Sequence, residues 1–516
     1  MLWFRRKKQF SCDDEELEGV PDLVSPRGAA AMQKGSSYWE SFIMCLKDPC
    51  DPKMNPEGYI ALCTAENKLI QETLACRLMQ MGTAVTAFSD SSSFCHASSL
   101  GLFNAREAVA YFLQKRFLHR INTSKVIHRV ESLTAPLESL DQSISGSRHY
   151  DDIELEINPE HIAFGAGVNS LLSQLLYIIA SPGEAVLIPA PYYATYEYDI
   201  KTLPECAVVP VYMDNPLIGP TPKDLQNSFE IAEKQGYSVR ALLMTNPNDP
   251  LGVIYNPEIL KNAVKWARSK RIHTIMNEIY ALSVRATCAS DDFQSIIKVF
   301  DNDLSTDIHF LYSLSKDFGA AGFRFGVIYT QNQKVLQALA NLNIFAGVSN
   351  PIQMIMSDLL LDDEFVDSFL EESRMKLWQS YQICRQKLEE MVIPYIISNA
   401  GLFIYVDFSS LLPEQTFEGE AKLAALIESV GRIVMTPGAS QRDCKPGMFR
   451  ICYAWVSPAL LEIAMERLSY IVLQIRRHEW GDLLLGNWTK EVTKCGTHLS
   501  SRRSTQNFSD LILQEM

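Results

Sequence analysis

Residues 313–319 read Ser-Leu-Ser-Lys-Asp-Phe-Gly, and Gly322, Arg324 and Gly326 follow them. This stretch places one lysine among groups that bind phosphate. Ser313, Ser315 and Arg324 lie close enough in sequence to hold a phosphate through charge-assisted hydrogen bonds. A lysine amine in such a setting can condense with an aldehyde to form an imine. The stretch therefore predicts that Lys316 binds pyridoxal phosphate (PLP), a cofactor that carries both groups.

The length and charge of the chain favour small-molecule chemistry. With 516 residues, 47% of them hydrophobic, it can bury the cores of two or three domains. Its 61 acidic residues outnumber 47 basic ones and give a formal charge of −14. This charge disfavours nucleic acid and anionic membrane surfaces as partners. No apolar run reaches the ~18 residues of a membrane span, so we expect no membrane partner.

The cysteines and histidines give no sign of a metal site. Twelve cysteines are scattered without a C-x-x-C pair, and nine histidines form no H-E-x-x-H motif. We expect reduced thiols, a cytoplasmic location and no metal. The basic run at 5–8 is not followed by the apolar segment of a secretory signal. It predicts a solvated arm, with a nuclear or lipid-surface patch as the alternative.

Helical and strand patterns alternate through the middle of the chain. Helical periodicity occurs at 105–117 and 260–269. Short β-rich runs occur at 185–188, 207–211, 240–244 and 272–276. This alternation predicts an α/β fold with a mostly parallel sheet, whose ligands bind at the carboxyl ends of the strands.

The turn Gly165-Ala166-Gly167 precedes an apolar helical segment that begins near Leu171. A phosphate at the start of that helix would meet free backbone N–H groups and the positive end of the helix dipole. Taken alone, this sequence is more typical of a plain tight turn than of a phosphate site. Its place ahead of Lys316 in an α/β chain predicts a second part of the phosphate site.

Residues about 50 to 476 resemble fold-type I aminotransferases and, more narrowly, 1-aminocyclopropane-1-carboxylate (ACC) synthases. The lysine motif is similar to the S-L-S-K-x-x-G-x-x-G-x-R-x-G signature of that family. Five further motifs occur in the family's order. They are Ala-Glu-Asn-Lys-Leu at 65–69, Pro-Tyr-Tyr at 191–193, Asn-Pro-Asn-Asp-Pro-Leu-Gly at 246–252, Asn-Glu-Ile-Tyr at 277–280 and Lys-Pro-Gly-Met-Phe-Arg at 445–450.

The resemblance implies a role for one residue in four of these motifs. Glu66 would lie at the substrate site, and Tyr193, with Tyr192 as second choice, would lie over the pyridine ring. Tyr280 would donate a hydrogen bond to the phenolic oxygen O3′ of PLP. Arg450 would bind the α-carboxylate of an amino-acid substrate in a bidentate manner, although the family usually has Trp at position 448, where this chain has Met.

Two departures from the family affect the electronics of the cofactor. Asn277 stands where the family has an aspartate that stabilises a protonated pyridine nitrogen, and neutral Asn277 cannot supply that charge. Losing such a preorganised partner typically costs on the order of 10²–10³ in rate. Asp249 stands where the family has an asparagine that donates to O3′. An ionised Asp249 would repel this oxygen, and only a protonated Asp249 could donate to it.

Two smaller departures point in the same direction. Ser99 occupies the position of a family tyrosine that reaches into the neighbouring subunit's site, and it is too short for that part. Gly167 replaces a Thr or Ser hydroxyl at the phosphate, so only its N–H remains. We expect looser cofactor binding, and a homodimer with poorer shared sites.

The resemblance also implies a large PLP-binding domain with a mostly parallel sheet and a smaller α+β domain. Charge and composition predict a disordered arm and tail outside both. The expected boundaries are 1–35 for the arm, 36–105 and 351–477 for the two parts of the small domain, 106–350 for the large domain and 478–516 for the tail.

Two functions remain open at the level of sequence. One is a PLP-dependent enzyme of amino-acid metabolism, acting by transamination, by β- or γ-elimination, or by ACC synthesis from S-adenosylmethionine. The last needs the most strongly stabilised carbanion and suffers most from Asn277. The other is a catalytically silent relative with an interaction or regulatory role. The long N-terminal extension resembles animal members of the family, some of which are regarded as inactive for ACC synthesis.

Overall fold

The computed structural model describes residues 24–32, 38–119, 155–285, 293–477 and 480. By its contacts, the chain divides into two compact units, Met1–Gly35 and Ser36–Met516. In the first unit, helix α1 spans Pro26–Ala31. Most of the predicted arm and tail lies outside the described residues, so their disorder stays a prediction. The other expected domain boundaries stay predictions as well.

Within the described residues, a seven-stranded sheet forms the centre of the second unit. Its spatial order is β2-β8-β7-β6-β5-β3-β4, and only β8 runs antiparallel to its neighbours. All six residues of β3 and of β7 are buried, as expected for strands covered on both faces. The strands among the described residues are β1 Ile60–Ala61, β2 Ile162–Ala166, β3 Ala185–Ala190, β4 Ala207–Tyr212, β5 Val239–Thr245, β6 His273–Asn277, β7 Ile308–Ser313, β8 Phe325–Thr330, β9 Tyr395–Ile396, β10 Phe403–Asp407, β11 Ile433–Val434, β12 Thr436–Pro437 and β13 Met448–Cys452.

Helices connect these strands. Helix α6 packs Leu171 and Leu175 into a buried cluster with strands of the large sheet. A π-helical turn, Gln114–Leu118, continues α5. Helix α9 begins with Pro257, and the side chain of Asn256 caps it. The α-helices described in the second unit are α2 Tyr38–Lys47, α3 Gln71–Gln80, α4 Gly82–Thr86, α5 Phe103–Leu113, α6 Val168–Ile179, α7 Tyr196–Lys201, α8 Pro222–Lys234, α9 Pro257–Ser269, α10 Ile296–Val299, α11 Leu314–Asp317, α12 Gln333–Leu342, α13 Asn350–Leu361, α14 Asp363–Glu390, α15 Phe417–Gly431 and α16 Pro458–Arg477.

A second layer combines both ends of the described chain. Strands β9, β10, β12 and β13 form an antiparallel sheet, and β1 pairs in parallel with β11. Helices α14, α15 and α16 share a hydrophobic core with this layer. The fold is therefore α/β with a mostly parallel central sheet, as the sequence predicted.

The sheet order explains how distant motifs meet. Strands β2, β3, β5, β6 and β7 run in the same direction, so the segments that follow them emerge at one edge of the sheet. Strand β8 runs the other way, so the residue before it, Arg324, lies at the same edge. This edge carries the candidate site. Separately, no helix among the described residues is long and apolar enough to cross a membrane.

Candidate active site

A cavity of about 180 Å³ opens at the carboxyl ends of the strands. Eight residues that the sequence singled out contribute to its wall. They are Glu66, Tyr193, Asp249, Asn277, Tyr280, Ser315, Lys316 and Arg324. The other residues of the wall are Val168, Asn169, Tyr196, Asp199, Thr245, Ile279 and Ala321.

Lys316 lies in the short helix α11, directly after the buried strand β7. Its Nζ donates a hydrogen bond to the carbonyl oxygen of Ala65. Burial lowers the pKa of the Lys316 amine, and the nearby carboxylate of Glu66 opposes this shift. A lysine with a lowered pKa is more readily deprotonated, and the neutral amine is the nucleophile that condenses with an aldehyde.

Arg324 and two glycines form a cradle beside this lysine. Arg324 adopts a left-handed conformation with φ of 56° and donates through Nη2 to the carbonyl oxygen of Ala166 at 3.0 Å. A Cβ atom at Gly167 would lie 2.6 Å from Nη2 of Arg324, and one at Gly326 would lie 2.6 Å from the backbone of Gly167. The glycines therefore allow the guanidinium to approach the start of helix α6, where free N–H groups favour an anion.

Ser313 contributes to the site from behind the cavity wall. Its hydroxyl donates to the carbonyl oxygen of Phe325 at 2.9 Å and accepts from the N–H of Ser315 at 3.1 Å. The cavity is also not lined by Gly165, Ala166 or Gly167. The next two residues, Val168 and Asn169, line it instead. Direct phosphate contacts by these predicted residues stay predictions, whereas Ser315 and Arg324 face the cavity.

Asn277 closes strand β6, and hydrogen bonds fix its side chain. Its Oδ1 accepts from the N–H of Ile279 at 3.2 Å, so its Nδ2 points to Tyr196 and donates to that hydroxyl at 2.7 Å. The Tyr196 hydroxyl also contacts Oγ1 of Thr245 at 2.7 Å. Asn277 therefore presents a neutral amide donor to the cavity.

Asp199 is a buried carboxyl group in the same wall. Its Oδ2 accepts a hydrogen bond from Nδ2 of Asn169 at 2.6 Å. Burial raises the pKa of Asp199 to about 7, and the hydrogen bond from Asn169 opposes that shift. The wall therefore contains an ionisable group near neutral pH that sequence reasoning did not identify.

Asp249 and Arg450 form a buried ion pair. Nη1 of Arg450 contacts Oδ1 and Oδ2 of Asp249 at 2.7 and 2.9 Å. The hydroxyl of Tyr280 donates to the same carboxylate at 2.9 Å. Burial acts to lower the pKa of Arg450, but the Asp249 charge and other nearby groups outweigh it and raise this pKa well above its usual value. The arginine predicted to bind a substrate carboxylate is thus bound to a carboxylate of its own chain.

The two tyrosines proposed to lie over the pyridine ring, Tyr192 and Tyr193, occupy different environments. Tyr193 lines the cavity, whereas the hydroxyl of Tyr192 donates to Glu197 at 2.7 Å and its ring lies in the core. Burial raises the pKa of Tyr193 well above its usual value, so its hydroxyl stays protonated. Tyr193 therefore faces the cavity and Tyr192 does not, and the stacking of Tyr193 on a cofactor ring stays a prediction.

This architecture can be compared with known proteins. The family model for aminotransferase class I and II matches residues 99–468. The chain belongs to this aminotransferase family. Aminotransferases of this family depend on PLP, and Lys316, Ser315 and Arg324, which line the same cavity, fit an aldehyde and a phosphate.

Curated relatives of this aminotransferase chain are ACC synthases. The ACC synthase of Glycine max is 30% identical over 449 residues, which cover 86% of each chain. ACC synthase 2 of Cucurbita pepo is 28% identical over 447 residues, covering 86% of this chain and 85% of its own. Among solved structures, the single mutant 1 of Thermus thermophilus aspartate aminotransferase has a TM-score of 0.64 at 18% identity, covering 87% of this chain and 99% of its own. This structural likeness shows the fold.

The family resemblance did not reveal every residue at the aminotransferase site. Tyr196 and Asp199 lie three and six residues after Tyr193, in the short helix α7. Their closeness in sequence to Tyr193 was the signal that could have identified them. The hydroxyl of Tyr38, in helix α2, lies 3.5 Å from Oγ1 of Thr195, and burial raises the pKa of Tyr38. No sequence pattern pointed to Tyr38.

Ser99 behaves as expected of a short side chain. Its hydroxyl donates to the carbonyl oxygen of Ala340 in the same subunit. The expectation that Ser99 is too short to reach a neighbouring subunit's site stays a prediction.

Proposed function

We propose that this protein is a weak PLP-dependent enzyme that acts on the amino group of small compounds and does not synthesise ACC. The family resemblance implies amino acids as the substrate class. One observation carries the proposal: Lys316, with its lowered pKa, shares a cavity with Arg324, and neutral Asn277, at the end of β6, lines the same cavity. The amine of Lys316 is the reason to propose cofactor binding, and the neutral amide of Asn277 is the reason to propose slow catalysis.

The residues of the cavity divide the work of binding and proton transfer. Ser315 and Arg324 would hold the phosphate, and the ring of Tyr193 would contact the cofactor. When bound, PLP supplies the electron sink that weakens a bond at the carbon bearing the amino group. The Nζ of Lys316, once free, accepts and returns the proton at that carbon. Tyr280 must release Asp249 before its hydroxyl can donate to O3′, because it has a single proton.

Asn277 limits the reaction type. Its Nδ2 can donate a hydrogen bond to an unprotonated pyridine nitrogen, but its amide carries no charge that would keep this nitrogen protonated. Electron withdrawal by the ring is then weaker, which slows every reaction that needs a stabilised carbanion. ACC synthesis also requires that carbanion to expel a leaving group from Cγ, so it is the reaction we exclude first.

A catalytically silent relative is the second candidate function. The buried pair of Asp249 and Arg450 favours it, because the predicted carboxylate-binding arginine is already engaged. Such a protein would keep the fold, with or without PLP, and act through a partner. The terminal regions expected to contact that partner lie outside the described residues.

The proposal can be tested by titrating the purified protein with PLP and recording the absorbance band of lysine-bound cofactor. We expect a saturable band in the wild type and none in Lys316→Ala, because only the cavity amine can bond to the aldehyde. Lys334→Ala, which removes an exposed amine on helix α12, is the matched control and should keep the band. A wild-type protein without this band would support the silent relative.

We also propose that the protein forms a homodimer whose partner covers the site. Ile344 and Phe345 are 73% and 87% exposed, in a turn beside the phosphate cradle, where Ala166 donates to the carbonyl oxygen of Ala346 at 2.8 Å. Exposed apolar side chains of this size are typical of interaction surfaces. The cytoplasmic location and the kinship to animal members stay predictions.

A further inference from the structure

The guanidinium of Arg450 has almost no hydrogen-bonding capacity left. Its Nη1 is bound by both oxygens of Asp249. Its Nη2 donates to the carbonyl oxygen of Cys63 at 2.8 Å and to Oγ1 of Thr436 at 3.3 Å. Only the Nε–H lacks a partner among the described residues. Because a bidentate grip on a carboxylate needs two adjacent donors, an entering carboxylate can be bound this way only if an existing contact breaks.

Asp249 also has the better access to the cavity. Asp249 belongs to the described wall, whereas Arg450 does not. Both residues are only 1% exposed, so the pair is shielded from water. The hydroxyl of Tyr280 holds the Asp249 carboxylate from another direction. What a ligand meets at this end of the cavity is therefore the acidic member of the pair.

Separating this pair would be costly. Truncating one partner of a buried, hydrogen-bonded charge pair typically lowers the equilibrium constant for folding or binding at least about 30-fold, largely because the other charge is left buried and unpaired. A substrate carboxylate that displaces Asp249 from Arg450 likewise leaves the charge of Asp249 buried and unpaired. A substrate without a carboxylate leaves the pair intact.

Building on the proposed function, we infer that Asp249 replaces the substrate's α-carboxylate on Arg450, so the site takes primary amines without an α-carboxylate in preference to amino acids. Asp249 is then a specificity-determining residue. Glu66, a second carboxylate in the wall, adds to the preference, because a negative charge attracts an ammonium and repels a further anion. The chemistry at the amino group is unchanged by this difference in substrate.

L-alanine and ethylamine provide a direct test, because they differ only by the carboxylate. The PLP-loaded protein is titrated with each compound, and the shift of the cofactor band gives the apparent affinity, expressed per concentration of free amine. We expect the wild type to bind ethylamine at least as tightly as L-alanine. A wild-type preference for L-alanine would overturn the inference, and this comparison needs no variant.

Asp249→Asn should restore selection for the carboxylate, because the amide leaves the charge of Arg450 uncompensated. We expect the ratio of L-alanine to ethylamine affinity to rise at least about 30-fold, which corresponds to the lower end of the cost of an unpaired charge. Asp214→Asn is the matched control, since its carboxylate is 79% exposed and lies outside the cavity wall, and the ratio should stay at the wild-type value. An unchanged ratio in Asp249→Asn would also overturn the inference.

A measurement without cofactor separates this inference from the proposed function. Propionate should raise the melting temperature of cofactor-free Asp249→Asn but not that of the cofactor-free wild type, because only the variant offers an unpaired guanidinium. Equal protection of both proteins contradicts the inference. A protein that forms no lysine-bound band overturns the proposed function and, with it, the amine preference. A protein that forms the band yet prefers L-alanine overturns the amine preference alone.

Discussion

In the proposed function, the side chain of Asn277 limits how strongly this site can withdraw electrons from a bound cofactor. The amide is fixed by the N–H of Ile279 and the hydroxyl of Tyr196, so it cannot turn its oxygen toward a pyridine nitrogen without losing both contacts. A carboxylate of the same shape would accept from both groups, with the Tyr196 hydroxyl reversing its direction. The surrounding hydrogen bonds therefore tolerate Asp at this position.

Asn277→Asp should accelerate proton removal from the carbon that bears the amino group. A negative charge that favours the protonated pyridine nitrogen is expected to raise the rate by on the order of 10²–10³, the usual value of one preorganised electrostatic partner. The measurement is the single-turnover rate of decay of the cofactor band at saturating substrate, so that affinity does not enter.

The double variant Asn277→Asp with Asp249→Asn carries the family residues at both positions. Asp249→Asn alone separates the effect of freeing Arg450 from the effect of the new charge. An unchanged rate in the double variant would show that ring electronics do not limit this protein.

Residues in compact motifs are the ones whose proximity the sequence predicts most directly. Lys316, Ser315 and Arg324 fall within ten positions of one another, and all three line the cavity. The pair of Asp249 and Arg450 is separated by 201 positions. Each had been assigned a different partner, O3′ and a substrate carboxylate, because neither motif contains information about the other. Only the folded chain shows that the two charges neutralise each other.

At the scale of elements, the junction between β2 and α6 shapes the phosphate cradle. Gly167 has φ of 84° and ψ of 167°, a region that is essentially restricted to glycine. Its missing side chain leaves room for Arg324. The hydroxyl that the family carries here would therefore clash with the arginine, and its loss is part of the cradle's geometry.

Gly167→Ala should weaken PLP binding at least about fivefold, because forcing a non-glycine residue into this region costs of order 1–3 kcal/mol and the new methyl group displaces Arg324. The dissociation constant is obtained from the titration of the cofactor band. Gly183→Ala is the control: Gly183 also has positive φ, of 82°, but no atom within 4 Å of the new Cβ, and it precedes β3 at the opposite edge of the sheet. Equal losses in both variants would contradict a specific role for the cradle.

The elements themselves were only partly predictable. The runs proposed for β3, β4, β5 and β6 are confirmed to within two residues at each end, because short β-rich segments bounded by turns carry a strong local signal. The direction of β8 was not predictable, since a buried apolar run reads the same in parallel and antiparallel strands. That reversal is nevertheless what brings Arg324 to the site.

At the scale of the whole molecule, exposed apolar side chains indicate where a second copy would bind. Ile344 and Phe345 stand next to the cradle and are largely exposed in the single chain. A partner that covers them would also shield Arg324, which is exposed in the single chain. Assembly and cofactor retention should therefore be linked.

Replacing Ile344 and Phe345 together by Glu should convert the dimer into monomers. Each buried apolar side chain contributes about 1.5–3 kcal/mol, so losing both should raise the dimer dissociation constant at least about 100-fold. Light scattering across a dilution series measures the change. Met54→Glu is the control, because Met54 is also 87% exposed but lies in a different turn. A wild type that is monomeric at all concentrations would rule out the proposed assembly.

Strand β2 pairs only with β8 in the described sheet, and the two are separated by more than 150 residues of chain. During synthesis, β2 therefore leaves the ribosome long before its partner exists. At about 5–20 residues per second, that delay is on the order of 8–30 s. Throughout it, the backbone donors and acceptors of β2 are available to other strands, and the phosphate cradle cannot yet form. A nascent chain stalled before residue 325 should be the form of this protein that depends most on chaperones.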